Sequence, residues 1–149
     1  MAEHKIRLTW NDGGKPFTYE TYPREHQILF KGAQDVGASA SPAYKGDGKH
    51  ADPEDMLVAA LSSCHMLSFL AICTKKKVTV QSYEDDAVGF LENDSKNGSG
   101  GKLWITRVIL RPKVVCSADA ATLEQIHHLA HEACFIANSV KTQVAVEPR

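Results

Sequence analysis

Hydrophobic and polar positions alternate near both ends of the chain and switch to helical spacing twice in between. Ile6, Leu8 and Trp10 share one face, and Asn11-Asp12-Gly13-Gly14 supplies a turn. Phe17 to Tyr22 and Gln27 to Phe30 are short strand candidates around Pro23-Arg24-Glu25. Gly32 to His50 is rich in Gly, Ala, Ser, Pro and Asp and reads as a long irregular connection, a feature that is often functional in compact domains. A helix is expected from Asp52, a suitable N-cap, with Pro53 at the first helical position and Glu54 and Asp55 in the first turn. It should run to about Cys73, with Lys75, Lys76 and Lys77 at the end of the dipole that favours positive charge. Leu57, Ala60, Leu61, Cys64, Leu67 and Ala71 follow helical spacing, and apolar residues also cover the other faces. The pattern predicts a central helix surrounded by protein.

Val78 to Glu92 reads as a strand, Asn93 to Gly101 as a flexible turn, and Leu103 to Val115 as a second long strand. The two strands predict an antiparallel hairpin. A second helix is expected from near Ser117, with Leu123, Ile126, Ala130, Ala133 and Ala137 on one stripe. Val140, Thr142, Val144 and Val146 then alternate with polar neighbours as a final strand. The order of elements predicts an α+β fold with two core helices, in a single domain over residues 1–149.

The chain has 149 residues, 43% hydrophobic and 23% charged, which fits one globular domain and argues against disorder. A net charge of -1 offers no field for nucleic acid or an anionic membrane. The longest apolar stretch, Met56 to Cys73, is broken by Ser62, Ser63, His65 and Ser68, so it reads as a core helix. The first ten residues lack a basic segment followed by an apolar one, so a cytoplasmic location is expected. Cytosolic disulfides are usually transient or catalytic, which turns attention to where the four cysteines sit.

Cys64 follows Leu57 by seven residues, and Cys134 follows Ala130 by four, so each helix presents one cysteine to the interior. Two buried structural cysteines fit that pattern equally, because free cysteine is among the most buried residue types. Cys73 lies about half a turn out of phase with Cys64 and cannot pair with it inside one helix. Cys116 sits at an element boundary and reads as a packing residue. His127, His131 and Cys134 fall on one helical face, and with Cys64 they would make a tetrahedral metal set. A small-molecule binding protein without turnover could use the same apolar cleft.

The run from Asp52-Pro53-Glu54 through Ala59-Ala60-Leu61-Ser62-Ser63 to Cys64 resembles the OsmC/Ohr family, the osmotically inducible and organic hydroperoxide resistance proteins. That family has an Asn/Asp-Pro-Glu helix start, with its first cysteine ten residues after the glutamate, as Cys64 follows Glu54. Its second cysteine comes late in a second helix, before a terminal strand, and His131-Glu132-Ala133-Cys134-Phe135-Ile136-Ala137 is similar. The order of elements matches over nearly the whole chain. The resemblance implies two central helices packed against antiparallel sheets in an intertwined homodimer, with sites at the interface. It also implies a cysteine-based peroxidase that needs no cofactor. Cys64 would attack an organic hydroperoxide, Cys134 would resolve the sulfenic acid as a disulfide, and a dithiol reductant (a lipoylated protein or a thioredoxin-like one) would restore both thiols.

Burial raises a thiol pKa, so the attacking cysteine needs a cation nearby. In the family this is an arginine held by the helix-start glutamate, and the matching residues are Arg24 and Glu54. Leu61, Met66, Leu67 and Phe135 are the apolar neighbours expected to bind the organic part of the substrate. Ten residues of helix rise about 15 Å, so Glu54 cannot touch Cys64 of its own straight helix. A helix kink, or a site completed by the partner subunit, would meet that gap. The family usually carries an apolar residue at the position of His65. Adjacent helical residues diverge by about 100°, so His65 reads as a packed, hydrogen-bonded histidine and not as a base for Cys64.

Overall fold

The computed structural model describes residues 1–93 and 101–149, so most of the turn expected at Asn93 to Gly101 lies outside the described residues. The chain divides into two compact units, Met1–Met56 and Leu57–Arg149.

In the first unit, strands β1 (Arg7–Thr9), β2 (His26–Leu29) and β3 (Asp35–Ala38) form an antiparallel sheet in that order. Leu8 faces Ile28, and Ile28 faces Val36 across the next ladder. The turn after β1 forms as expected: Asn11 and Asp12 side chains accept the N–H groups of Gly13 and Gly14, both in the left-handed region. Phe17 to Tyr22 is not a strand. The N–H groups of Thr21 and Tyr22 both turn back to the Thr18 carbonyl, and Phe17 and Tyr22 pack against Trp10. Their aromatic rings gather on one side instead of alternating. The stretch Gly32 to His50 is also more ordered than its composition implies, because it contains β3. Gly46 sits where an added Cβ would lie 1.4 Å from the Ala40 carbonyl oxygen, so this return admits only glycine.

Helix α1 (Pro53–Lys75) starts in that unit with a reciprocal cap. The Asp55 N–H donates to Asp52 Oδ1 at 2.8 Å, and the Asp52 N–H donates to Asp55 Oδ2 at 3.4 Å.

The rest of α1 belongs to the second unit. Its buried stripe is Leu61, His65, Phe69 and Cys73, at intervals of four. The expected stripe through Leu67 and Ala71 is exposed instead, with Leu67 at 60% of its free area. In the single chain α1 is therefore covered on one side and apolar on the other. Among the described residues it is also the helix long and apolar enough to cross a membrane.

Strands β4 (Val80–Asp85) and β5 (Val88–Asn93) replace the expected continuous strand, and β6 (Leu103–Leu110) and β7 (Pro112–Cys116) replace its partner. The hairpin is bent, so β4 pairs with β7 and β5 pairs with β6, each antiparallel. Asp85 fixes the bend. Its Oδ1 accepts the Arg111 N–H at 2.6 Å, immediately before Pro112, which has no N–H to offer a ladder.

Helix α2 (Ala120–Glu132) begins later than Ser117, capped by Asp119 Oδ1 on the Thr122 N–H at 2.8 Å. Strand β8 (Gln143–Val146) joins β6 in parallel, with Val108 opposite Val144. The sheets are thus mixed and not wholly antiparallel. Two cores result: Leu61 with Val108 and Leu110, and Phe69 and Cys73 with Ile126 and Ala130. Gly89 in β5 lets α1 lie close, since a Cβ there would stand 2.6 Å from Val58.

Candidate active site

Cys64 lies on the exposed side of α1, half-buried, in an apolar groove of about 650 Å³. Ala60, Leu67, Ala71, Phe135 and Ile136 supply its walls. Leu67 and Phe135 thus line the groove as expected, and Phe135 is 81% exposed. Leu61 and Met66 do not line it. Leu61 is fully buried against Val108 and Leu110, because its position on α1 faces the sheet.

Cys134 is 1% exposed and does not belong to α2, which ends with Ala133 as its C-cap. Its Sγ accepts the Ala137 N–H at 3.4 Å. A continuing helix would have spent that N–H on the Ala133 carbonyl. Burial pushes the Cys134 thiol up, and its hydrogen bond with the Cys64 side chain acts in the same direction. The two cysteines are therefore neighbours, both as free thiols. Cys73 is buried with Phe69, and burial followed by the neighbouring Cys116 raises its thiol. Cys116 ends β7.

In the first unit, Arg24 and Glu54 line one cavity of about 330 Å³ together with Trp10, Tyr22 and Ser39. Arg24 is only 8% exposed. Its Nη1 donates to the Tyr22 carbonyl and its Nη2 to the Tyr19 carbonyl, each at 2.6 Å. The guanidinium lies 3.6 Å over the Tyr22 ring. Among the described residues Arg24 has no ion pair with Glu54, so its orientation comes from two carbonyls and an aromatic face.

His65 is packed and hydrogen-bonded as expected, and its partner is His127: Nε2 and Nδ1 share a hydrogen bond at 3.1 Å. His127 is buried, whereas the adjacent His128 is exposed. The apolar stripe of α2 could have placed it, since His127 follows Leu123 by four and precedes Ala130 by three. Among the described residues no three His, Cys, Asp or Glu side chains are grouped to hold a metal. The set of His127, His131, Cys134 and Cys64 fails because Cys134 leaves the helical face after Ala133.

The fold is shared with several solved proteins. An OsmC-like protein of unknown function from Vibrio cholerae is 46% identical, with both chains covered in full and a TM-score of 0.91. The organic hydroperoxide resistance protein OhrB of Bacillus subtilis is 15% identical, covering 99% of this chain and 98% of its own, with a TM-score of 0.73. An organic hydroperoxide resistance protein OsmC from Legionella pneumophila is 16% identical over 99% and 97% of the two chains, with a TM-score of 0.70. These two likenesses concern the fold. No curated protein matches the sequence. The family model described as OsmC-like protein matches residues 46–149, which hold both α1 and the Cys64–Cys134 pair, and the chain belongs to the OsmC/Ohr family.

Proposed function

We propose that this protein is a cysteine-based peroxidase that reduces organic hydroperoxides to alcohols. The observation that carries this reading is the inequality of the two neighbouring cysteines. Cys64 opens onto an apolar groove, while Cys134 is sealed behind it with its thiol pushed up. A substrate in the groove reaches Cys64 alone, and a sealed thiol held protonated is the poorer nucleophile toward peroxide, which leaves Cys134 the second, resolving attack.

The Cys64 thiolate attacks the distal peroxide oxygen. An S–O bond forms, the O–O bond breaks, and the leaving alkoxide takes a proton to become the alcohol. Cys134 then attacks the Cys64 sulfenic sulfur, releasing water and forming the disulfide. A dithiol reductant, lipoylated or thioredoxin-like, exchanges with it and returns both thiols. The family resemblance assigns Arg24 and Glu54 to favouring the thiolate. Leu67 and Phe135 hold the organic portion of the substrate. A homodimer with sites at its interface, working in the reducing cytoplasm, completes the proposal.

Turnover of cumene hydroperoxide with a dithiol, compared with the Cys64→Ser variant, tests it. The variant should lose essentially all turnover; equal rates in the two proteins would overturn the assignment.

A further inference from the structure

The Cys64 groove runs along α1 and ends in a charge. Cys64, Leu67, Ser68, Ala71, Ile72 and Lys75 line it, positions that recur with the helical period on one face. Eleven residues of helix separate Cys64 from Lys75, a rise of roughly 16 Å. Between those two points the lining is apolar apart from the Ser68 hydroxyl.

Among the described residues Lys75 is the one charged side chain of that lining, and no carboxylate accompanies it. The ion pairs of the described residues do not include it either. Its neighbours at the same helix end differ. Lys76 lies outside the lining and donates to Gln125 Oε1 at 3.3 Å, and Lys77 lies outside it too. Any of the three lysines would favour the helix dipole, but only Lys75 borders the groove. A ligand filling the groove meets a thiol at one point, an aliphatic wall beyond it, and an ammonium at the far end. A wholly apolar ligand leaves that ammonium unanswered, and a cation is repelled by it. One ammonium balances one negative charge, so the complementary head group is a carboxylate.

We infer that Lys75 makes the groove selective for long-chain hydroperoxides that carry a carboxylate at the end remote from the peroxide. The peroxide lies at Cys64, the chain packs on Leu67, Ala71 and Ile72, and the carboxylate pairs with Lys75. The inference rests on the proposed peroxidase chemistry for the hydroperoxide group and on the groove alone for the carboxylate.

The first test needs no turnover. Alkylation of Cys64 in the native protein is followed by the mass of its peptide, with decanoate, decanol or decylammonium present below micelle-forming concentrations. Decanoate should protect Cys64 at concentrations roughly 2- to 5-fold lower than decanol, as a partly exposed ion pair provides, and decylammonium should protect least. Lys75→Gln should erase the difference between decanoate and decanol, Lys75→Glu should turn the order toward decylammonium, and Lys76→Gln should leave decanoate ahead. Lys75 is exposed, so its replacements keep the fold. In turnover, the preference for an ω-carboxylated alkyl hydroperoxide over its methyl ester should shrink in Lys75→Gln through KM. If neither hydroperoxide is turned over, the peroxidase reading fails, and the protection series still decides the role of Lys75. Equal protection by decanoate and decanol, or a preference for decanoate that survives in Lys75→Gln, would overturn the inference.

Discussion

His65 Nε2 and His127 Nδ1 lie 3.1 Å apart, so one buried hydrogen bond joins α1 to α2 through two nearly coplanar imidazoles. Both rings are pushed down to about 4. For His65 the cause is burial, followed by the neighbouring His127 and His131; for His127 it is burial, partly offset by Asp85. The ordinary value is 6.5, so between pH 6.5 and 4 the unfolded chain binds protons that the folded chain refuses. Stability must fall as pH drops through that window and level off below it. At about 1.4 kcal/mol per pKa unit, one ring alone costs on the order of 3 kcal/mol by pH 4. Urea unfolding at pH 7, 6 and 5 should show a falling midpoint, with a shallower fall in His127→Phe. A midpoint independent of pH in the native sequence would contradict the buried neutral pair.

Asp85 provides a second stability test. Its two oxygens accept the Arg111 N–H and the Ser62 hydroxyl, tying the sheet bend to α1. Asp85→Ala leaves both donors without their partner. Hydrogen bonds to a charged group are worth about 1.5–3 kcal/mol each, so a loss of roughly 3 kcal/mol is expected. Asp85→Asn, which keeps an acceptor for Arg111, should lose less. Chemical denaturation of the two variants checks the order.

That bend shows why only part of the fold was readable in the sequence. The Asp52 cap and the helical spacing of α1 and α2 are local signals, and they placed both helices. The split of Val78 to Glu92 into β4 and β5 depends on a partner more than twenty residues away, Arg111, so no local window reveals it. β3 was hidden for the same reason. Asp35-Val36-Gly37-Ala38 has little strand propensity and is extended by pairing with β2. At the site, the motif singles out Cys64, but its helical phase predicts an interior position and the structure puts it on the exposed side of α1. Leu61 was misplaced because helical spacing gives the faces of α1 but not which face meets the sheet.

Cys134→Ser separates the two proposed sulfur roles. Cys64 should still consume one equivalent of hydroperoxide, and the protein should gain one oxygen atom by intact mass. Without the resolving thiol that adduct persists, and excess peroxide drives it to the sulfinic state. Sustained dithiol-dependent turnover in this variant would count against Cys134 as the resolving residue.

Arg24 is expected to act on reactivity and not on folding alone. Arg24→Ala should slow the reaction of Cys64 with hydroperoxide by roughly 10- to 100-fold and raise the pH at which it proceeds, since a cation lowers a thiol pKa by one or more units. Lysine should rescue poorly, because it cannot reproduce the two-pronged contact with the Tyr19 and Tyr22 carbonyls. A pH–rate profile unmoved by Arg24→Ala would reduce the residue to a packing role. Mixed dimers sharpen the test: Cys64→Ser subunits combined with Arg24→Ala subunits regain one intact site only if subunits share sites.

Leu67 at 60% and Phe135 at 81% exposure border the Cys64 groove, and only 22% of the most apolar stretch of α1 is buried in the single chain. Such a face is stable in water only when covered, and a second copy of the chain supplies a matching one by two-fold symmetry. The native protein should therefore sediment as a dimer. Leu67→Glu would bring two like charges into a dry interface and should shift the equilibrium toward monomer while the Asp85 and His65 contacts remain. Peroxidase activity should fall with the dimer fraction, not with the folded fraction measured by circular dichroism. A monomeric, folded and fully active Leu67→Glu protein would mean that each chain carries a complete site by itself.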